Sequence, residues 1–410
     1  MKQLLIIGFV WPEPKSSAAG SRMMQLVELF KELHFEITFV STALNIEFSE
    51  NLQNHGIKTK SIQLNDSGFD VFCKNLNPAV VLFDRFLTEE QFGWRIIENC
   101  PDAIRILDTE DLHCLRQTRQ WAVKNNVPFD RNTVTQSDIA KREVASIYRC
   151  DLSLMVSEYE IDVLHDVFLV PLFLLYYLPL VVDSVTENKT AFGHRNDFVF
   201  IGNFLHEPNY DAVRHLRNVI WPEIYKQLPN AKMNVYGAYP TQKVFQLQNT
   251  AINFMVHGRA KNAADVIKSA RVMLAPIRFG AGIKGKLIEA MQYATPSITT
   301  TIGAESMHDH LPWNGYITDD TTDFIKKAVT LYTNESIWNT AVLNGHEIIK
   351  HRYLKTLFAN NFKEKITDLM QHYILLRNKN FTGSLLMHQT ANGTKYMSKW
   401  IEEKNKSKKI

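Results

Sequence analysis

The sequence contains few cysteines and almost no net charge. Its four cysteines, at positions 73, 100, 114 and 150, include no close pair of the kind that binds zinc or works as a redox couple. Lysine and arginine number 46 against 43 acidic residues, so the formal net charge of +3 provides no strong field for nucleic acid. We therefore expect a reducing, cytoplasmic location and no nucleic-acid partner.

Long hydrophobic runs are also missing. The longest, residues 167–182, is shorter than the roughly 20 residues that span a bilayer, and it contains Pro171 and Pro179. We interpret it as a buried strand with an interdomain connection, and a shallow membrane-facing patch is the alternative. The lysine-rich residues 404–409 indicate a solvated tail, with a weak peripheral contact at the anionic inner face of a membrane as the alternative.

The start of the chain does not read as an export signal. Residues 1–10 form a single short apolar stretch, and Trp11-Pro12-Glu13-Pro14 follows where a small-residue cleavage site would be needed. This is a second reason to expect a cytoplasmic protein.

The chain does contain a repeated order of apolar strand, loop and amphipathic helix, which is typical of parallel sheets covered on both faces. At 410 residues it is too long for one ordinary core. A polar stretch at 183–197 separates two such series and is interpreted as a linker. We predict an α/β fold with two doubly wound, Rossmann-like domains facing a cleft, at 1–185 and 195–370, followed by helices at 371–410 that return to the first domain.

The predicted elements follow the hydrophobic pattern. Strands of the first domain are predicted at 4–10, 37–41, 79–84, 103–108 and 152–157, with a helix at 21–34. Strands of the second are predicted at 198–202, 233–236, 254–257, 272–276, 297–301 and 316–320, with helices at 211–228, from 265 and from 284, and a last helix around 396–403. Strands of the first domain end in polar residues, where ligands of such sheets bind.

The most informative segment is a glycine-containing loop within residues 278–291, between a predicted strand and a predicted helix. Glycines let backbone amides approach a ligand closely, and a helix N-terminus adds unpaired N–H groups and the positive end of a dipole. Lys284 and Lys286 add full positive charges. An anionic ligand is therefore expected at this loop.

One interpretation of the loop is a dinucleotide site. Gly280, Gly282 and Gly285 match the dinucleotide fingerprint, and Glu305 follows at roughly the right distance for a ribose contact. That fingerprint belongs to the opening strand of a domain, however, whereas several strand–helix units precede the loop here.

Two other interpretations use the same residues. The spacing from Gly280 to Lys286 matches a nucleoside-triphosphate P-loop, but Leu287 stands where a hydroxyl must ligate Mg²⁺. Alternatively, the loop and both lysines hold a diphosphate, and Glu289 accepts hydrogen bonds from the ribose hydroxyls of a nucleotide. An exposed Lys286–Glu289 pair on the helix surface is the structural alternative to this role.

These residues resemble those of the family 4 glycosyltransferases, retaining enzymes with two facing Rossmann-like domains in the arrangement called GT-B. The resemblance covers most of the chain. It rests on residues 278–291 and 295–305 of the donor-site strand, loop and helix, on 200–212, 221–224 and 235–237 in the second domain, and on 14–22 and 107–113 in the first.

The resemblance implies a role for each candidate residue. In the implied mechanism Lys284 and Arg278 are catalytic, because they meet charge as it develops on the leaving diphosphate. Implied donor contacts are Gly280, Gly282, Ile283, Lys286, Glu289, Gly20 and Arg22, and implied sugar contacts are Asp111 and His113. Asn203, His206, Asn209 and Glu110 are secondary candidates. A structural role as hydrogen-bonding or helix-capping groups is the alternative for His113, His206 and Asn209.

The implied reaction moves a hexose from a nucleoside-diphosphate sugar, carrying UDP or GDP, to a glycan or lipid-linked acceptor with retention, as in cell-surface polysaccharide synthesis. No protein nucleophile is required. No cofactor or metal is expected either, because no cluster of carboxylates or histidines at ligand spacing accompanies the loop.

The loop departs from the family at one position. Relatives commonly have an earlier glutamate that touches the donor sugar, and Ala281 occupies that position here. The alternatives to the enzyme are therefore a binding module of the same fold that holds a nucleotide without transferring sugar, and an NAD-dependent oxidoreductase.

Overall fold

The computed structural model describes residues 2–185 and 191–388, together with 393, 396, 397, 400 and 401. Within this part of the chain, thirteen strands form two parallel sheets, one of seven and one of six strands. The sheets have their own hydrophobic cores. The predicted α/β class with two doubly wound domains is confirmed.

The first sheet has the strand order β3-β2-β1-β4-β5-β6-β7. Leu4 and Ile6 of β1 lie in one hydrophobic core and Leu5 and Ile7 in another, so the sheet is buried on both faces. Its strands are β1 (Lys2–Gly8), β2 (Phe35–Ser41), β3 (Lys58–Ser61), β4 (Val80–Asp84), β5 (Ile104–Asp108), β6 (Leu152–Met155) and β7 (Leu175–Tyr177). Its helices are α1 (Ala18–Glu32), α2 (Gly68–Leu76), α3 (Arg85–Asn99), α4 (His113–Asn125), α5 (Asp138–Arg149) and α6 (Glu158–Asp166).

The second sheet has the strand order β10-β9-β8-β11-β12-β13. Its strands are β8 (Asn196–Ile201), β9 (Met233–Tyr236), β10 (Phe254–Gly258), β11 (Ala270–Ala275), β12 (Ser297–Thr299) and β13 (Gly315–Ile317). Its helices are α7 (Glu207–His215), α8 (Trp221–Gln227), α9 (Gln242–Phe245), α10 (Ala263–Ser269), α11 (Gly285–Gln292), α12 (Thr301–Ala304), α13 (Thr321–Thr333) and α14 (Glu335–Arg352).

The strand order reverses direction once in each sheet, between β1 and β4 in the first and between β8 and β11 in the second. Open parallel sheets bind ligands at such switch points, in the crevice beyond the carboxyl ends of the strands. The loops after these four strands are therefore the places where a ligand is expected.

The last two helices, α15 (Lys355–Lys379) and α16 (Phe381–His388), return to the first domain. The ring of Phe362 packs edge-on against Phe30, with 5.4 Å between centroids, and Arg377 donates to both carboxylate oxygens of Asp151 at 2.7 Å. The predicted boundary at residue 370 is therefore wrong. The return already begins at α15, because the apolar side of that helix completes a core of the first domain.

The two crossings between the domains run side by side. The amide of Val182 donates to the carbonyl oxygen of Tyr353 at 2.8 Å, and the amide of Lys355 donates to that of Val182 at 2.9 Å. The interpretation of residues 167–182 as buried strand and connection agrees with this, since β7 lies within the run. Among the described residues, no helix is long and apolar enough to cross a membrane.

Some predicted elements differ from those observed. The prediction lacks β3, whose four residues are all polar and therefore carry no hydrophobic pattern. The predicted helix at 211–228 consists of α7, a π-helical turn at Leu216–Ile220 and α8. Parts of the predicted linker (186–190), of the last helix, and the whole lysine-rich tail (404–409) lie outside the described residues.

Replacing Phe362 by alanine should destabilise the first domain. The ring is 1% exposed, and truncating a buried phenylalanine typically costs about 3–5 kcal/mol in the free energy of unfolding. Ile374→Ala on the same helix is the matched control, because that side chain is 60% exposed and its loss should change the free energy by less than about 0.5 kcal/mol. Denaturant unfolding of both variants tests this, and equal effects would contradict the docking of α15.

Candidate active site

A cleft of about 860 Å³ lies between the domains, where the two switch points face each other. Its first-domain wall is formed by the loop after β1, by Asp84 and Arg85 at the end of β4, and by four residues after β5: Glu110, Asp111, His113 and Arg116. The second-domain wall is formed by residues from the loops after β8, β9, β10 and β11, and by Glu289 and Tyr293 of the following helix. Both walls therefore consist of carboxyl ends of strands.

The glycine loop, residues 280–284, lies between β11 and α11 and lines this cleft. Gly282 has a left-handed φ of +62°, and a Cβ there would lie only 3.0 Å from the Cβ of Asp111. A Cβ on Gly285 would lie 2.8 Å from the Cβ of Ala18. The glycines therefore allow the start of α11 to approach the first domain closely.

Lys284 lies at the N-cap of α11. Its ammonium group donates to the carbonyl oxygens of Gly282 at 2.6 Å and Ala281 at 3.3 Å. Burial lowers the pKa of Lys284 to about 8, although the nearby charge of Glu305 works in the opposite direction. An anion in the cleft would compensate for the lost hydration and favour the charged form.

Lys286 and Glu289 also line the cleft. The Lys286 ammonium group donates to Oδ1 of Asn209 and lies 4.6 Å from the ring centroid of Phe200. Burial lowers the pKa of Lys286 to about 7 and raises that of Glu289 to about 7. The alternative of an exposed surface pair is therefore wrong, since both side chains are half-buried in the cleft wall and Lys286 binds Asn209.

Asp111 and His113 line the first-domain wall, and His206, which follows β8 in the second domain, lies near Asp111. Asp111 binds Arg116 and lies 3.4 Å from Nε2 of His113. Burial alone would raise the pKa of Asp111, but Arg116 and the histidines hold it below its usual value. Burial lowers the pKa of His113 to about 4 and that of His206 to about 3. At neutral pH Asp111 is therefore a carboxylate, and the imidazoles of His113 and His206 are neutral.

Two strained residues stand at the carboxyl ends of neighbouring strands. Arg85, after β4, has φ +69°, and Glu110, after β5, has φ +62°, a conformation that is uncommon without glycine and clusters at functional sites. Burial and the neighbouring Asp108 raise the pKa of Glu110 well above its usual value. The raised pKa favours the protonated form of Glu110.

The structure brings most of the predicted site residues together. Lining the same cleft are Gly20, Glu110, Asp111, His113, Asn203, His206, Asn209, Gly280, Gly282, Ile283, Lys284, Lys286 and Glu289. They come from sequence positions in both domains, and the packing of the two switch points makes them neighbours.

Two predicted roles need correction. Arg22 is 1% exposed and donates to Asp108 and to the carbonyl oxygens of Leu178 and Pro179. Arg278 donates through two nitrogens to the carboxylate of Asp211. Neither arginine is part of the cleft lining. Donor contact by Arg22 and direct catalysis by Arg278 are therefore not what the structure shows, because each guanidinium is engaged by other protein groups.

Sequence reasoning missed contacts from the loops after β9 and β10. The hydroxyl of Tyr239 donates to Glu13 at 2.7 Å, and Arg259 donates to the hydroxyl of Ser16 at 3.3 Å. Both residues therefore reach across to the loop after β1. Their positions just after strand ends were the only signal that could have identified them.

In the structure, Glu305 is not placed to contact a ribose as the dinucleotide interpretation requires. Glu305 accepts from Arg119 at 2.8 and 2.6 Å and is not part of the cleft lining. Metal-ligating side chains are not clustered either, since the described part of the chain has no group of three or more that could hold an ion.

Part of the chain matches a known protein family and a curated protein in sequence. Residues 195–334 match the family model "Glycosyl transferases group 1". An uncharacterised 44.6 kDa protein in the cps region of Klebsiella pneumoniae is 23% identical over 179 residues, which are 42% of this chain and 46% of that protein. The match thus spans about half the length of that curated relative.

Solved structures resemble the whole fold. Sucrose-phosphate synthase from Thermosynechococcus elongatus aligns with a TM-score of 0.66 at 14% identity, over 90% of this chain and 100% of that one. The pneumococcal O-GlcNAc transferase GtfA, in complex with UDP and GlcNAc, gives 0.67 at 12% identity over 90% and 99%. HepE from Anabaena, in complex with UDP and glucose, gives 0.65 at 11% identity over 90% and 100%. With the match of the second domain, these likenesses confirm the predicted resemblance to GT-B glycosyltransferases.

Gly20→Ala should disturb the loop after β1 on which the cleft depends. A Cβ at Gly20 would lie 2.3 to 2.6 Å from backbone atoms of Glu13, and backbone cannot move aside as a flexible side chain can. We expect a loss of about 1–3 kcal/mol in the free energy of unfolding. Gly193→Ala is the control, because a Cβ there meets nothing within 4 Å. Denaturant unfolding compares the two, and a neutral Gly20 variant would contradict this close approach.

Proposed function

We propose that this glycosyltransferase transfers a sugar from a nucleoside-diphosphate sugar to a glycan or lipid-linked acceptor with retention of configuration. The observation that carries the proposal is the pair of cleft-lining lysines at the start of α11, next to a glycine loop that packs against Asp111. A diphosphate fits that chemistry because its negative charge would pair with the two half-buried ammonium groups, which now bind only neutral oxygen atoms.

In the proposed complex, each wall has its own task. The glycine loop and Lys284 receive the diphosphate, Lys286 adds charge, and Glu289 accepts hydrogen bonds from the ribose hydroxyls. Asp111 and His113 contact the transferred sugar. As the bond to the leaving group breaks, Lys284 and the N-terminal end of α11 stabilise the charge that develops, and the acceptor hydroxyl attacks from the same face. The proposal includes no metal and no protein nucleophile.

UDP is the first nucleotide to test, because two structures that resemble this chain contain it. A role in cell-surface polysaccharide synthesis is proposed on the likeness to a protein named for a cps region. We place this activity in the cytoplasm, with a peripheral contact at the inner face of the membrane where a lipid-linked acceptor would reside.

The second candidate function is a nucleotide-binding module without transfer. It is favoured by Ala281, which lines the cleft where relatives commonly have a glutamate that touches the sugar. Slow hydrolysis or transfer of a sugar nucleotide would support the enzyme, and nucleotide binding without turnover would support the module. A thermal-shift panel of UDP, GDP, their sugar conjugates and NAD discriminates further, since stabilisation by NAD alone would favour an oxidoreductase.

Lys284→Ala should reduce turnover far more than stability. Removing one preorganised donor to a developing charge typically costs about 10²–10³ in kcat, while the truncated lysine also removes a costly buried charge. Sugar release from UDP-sugars and GDP-sugars, measured beside thermal unfolding, tests this. Lys243→Ala is the control, because Lys243 is an exposed lysine of the same domain. An unchanged rate for Lys284→Ala would remove this residue from the mechanism.

Affinity for a nucleoside diphosphate should fall at alkaline pH. The pKa of Lys284 is about 8 in the free protein, and a bound anion raises it. The favourable contribution is therefore complete below about pH 8 and declines by up to about tenfold per pH unit until the bound-state pKa is passed. Lys286, with a pKa of about 7, adds an earlier decline. Titration calorimetry across this range should show a flatter profile for Lys284→Arg, since arginine stays charged.

A further inference from the structure

Two buried side chains of the first domain hold the backbone of the glycine loop from the side away from the cleft. Arg119 of α4 is 3% exposed, and its Nη1 donates to the carbonyl oxygen of Gly280 at 2.9 Å. Glu160 of α6 is fully buried, and its Oε1 accepts from the amides of Gly282 and Leu112, both at 2.8 Å. Neither side chain lines the cleft.

Arg119 is itself fixed in place. Its guanidinium donates to both carboxylate oxygens of Glu305, just after α12 in the second domain, at 2.8 and 2.6 Å. The rings of Phe129 and Tyr159 lie 5.1 and 5.0 Å from its guanidinium carbon. The arginine therefore bridges the domains twice, once to a side chain and once to the glycine loop.

These contacts belong to a longer seam between the domains. The amide of Tyr159, at the start of α6, donates to the hydroxyl of Ser306 at 2.9 Å, and Glu158 pairs with Arg352. The start of α6 thus meets the second domain along several residues, so the two bonds to the loop exist only while the domains are together.

The two bonds determine which way consecutive peptide groups of the loop point. In a planar trans peptide, the C=O of one residue and the N–H of the next point in opposite directions. When Arg119 holds the Gly280 carbonyl, the Ala281 amide points away from it. When Glu160 holds the Gly282 amide, the Ala281 carbonyl points the other way, and it is indeed a contact of the Lys284 ammonium group at 3.3 Å.

Without these bonds the loop has other conformations available. Gly280 and Gly282 lack the Cβ that would restrict their backbones, and glycine adopts positive and negative φ about equally well. Reversing the Gly280–Ala281 peptide would turn the Gly280 carbonyl oxygen to the side where the Ala281 amide now points, and an oxygen there repels an anion. Reversing the Ala281–Gly282 peptide would take an acceptor from Lys284 and leave its ammonium group less firmly positioned.

We propose that Arg119 and Glu160 are positioning residues that set the glycine loop in its anion-binding conformation when the domains close. This rests on the proposed function for the identity of the anion, a nucleoside diphosphate. The donor site is then complete only in the closed molecule, because the first domain supplies the bonds that orient the second domain's loop.

The test is the dissociation constant of UDP and of GDP for the full chain, measured by titration calorimetry. Glu160→Ala removes an acceptor of two amides and should weaken binding roughly tenfold or more. Glu160→Gln keeps Oε1 as an acceptor and should stay within about threefold of wild type. Glu89→Ala is the matched control: Glu89 is 1% exposed and pairs with Arg149 inside the first domain, so its loss costs stability without reaching the loop.

Arg119→Lys is the second variant, and it decides the matter if Glu160→Ala does not fold. Lysine keeps the charge but cannot span Glu305 and the Gly280 carbonyl together, so binding should again weaken roughly tenfold. Wild-type affinity in Glu160→Ala and Arg119→Lys would overturn the positioning role and leave the proposed function standing. Equal weakening of binding by Glu89→Ala would do the same. Wild-type protein that binds neither UDP nor GDP would overturn both.

Discussion

Two lysine ammonium groups are held out of bulk water at the start of one helix, and the organisation of the cleft depends on this placement. Burial lowers the pKa of Lys284 to about 8 and that of Lys286 to about 7, so each charge carries a desolvation cost that protein groups offset only in part. Backbone carbonyls face Lys284, and Asn209 faces Lys286. The remaining cost is what an anionic ligand would remove.

The first-domain wall of the cleft has a mixed character. Asp111 stays ionised beside Arg116, while burial keeps His113 neutral and raises the pKa of Glu110 well above its usual value. Besides Asp111, this wall includes the acidic Asp84 and the basic Arg85 and Arg116. The second-domain wall contributes the two lysines at the start of α11, whereas the first-domain wall contributes groups of both charges.

The domains are tied to each other at two levels. The covalent level is the pair of adjacent crossings at Val182 and Tyr353, with α15 returning to complete a core of the first domain. The other level is the seam along α4 and α6, where first-domain side chains bind backbone groups of the glycine loop. Closure and the conformation of the loop are therefore linked through the same hydrogen bonds.

Local pattern was sufficient for the α/β class, the two domains and the glycine loop, because each depends on residues near one another in sequence. Strand periodicity places β1, β4, β8 and β11 within a few residues, and loop composition identifies Lys284, Lys286 and Glu289. The strand β3 escaped prediction because it has no apolar pattern. The return at α15 escaped it because the sequence does not show which domain the apolar side of a helix packs against.

Which groups face the cleft was decided only by the tertiary structure. Arg22 and Arg278 carry the charge expected of ligand-binding residues, yet distant carboxylates, Asp108 and Asp211, engage them. Glu160 and Arg119 look like ordinary helix residues in the sequence, yet packing brings them to the loop. The sequence by itself determined the fold class and the position of the glycine loop, because periodicity and glycine spacing are local. The partners of each buried charge depend on how the domains meet, and only the folded chain defines that.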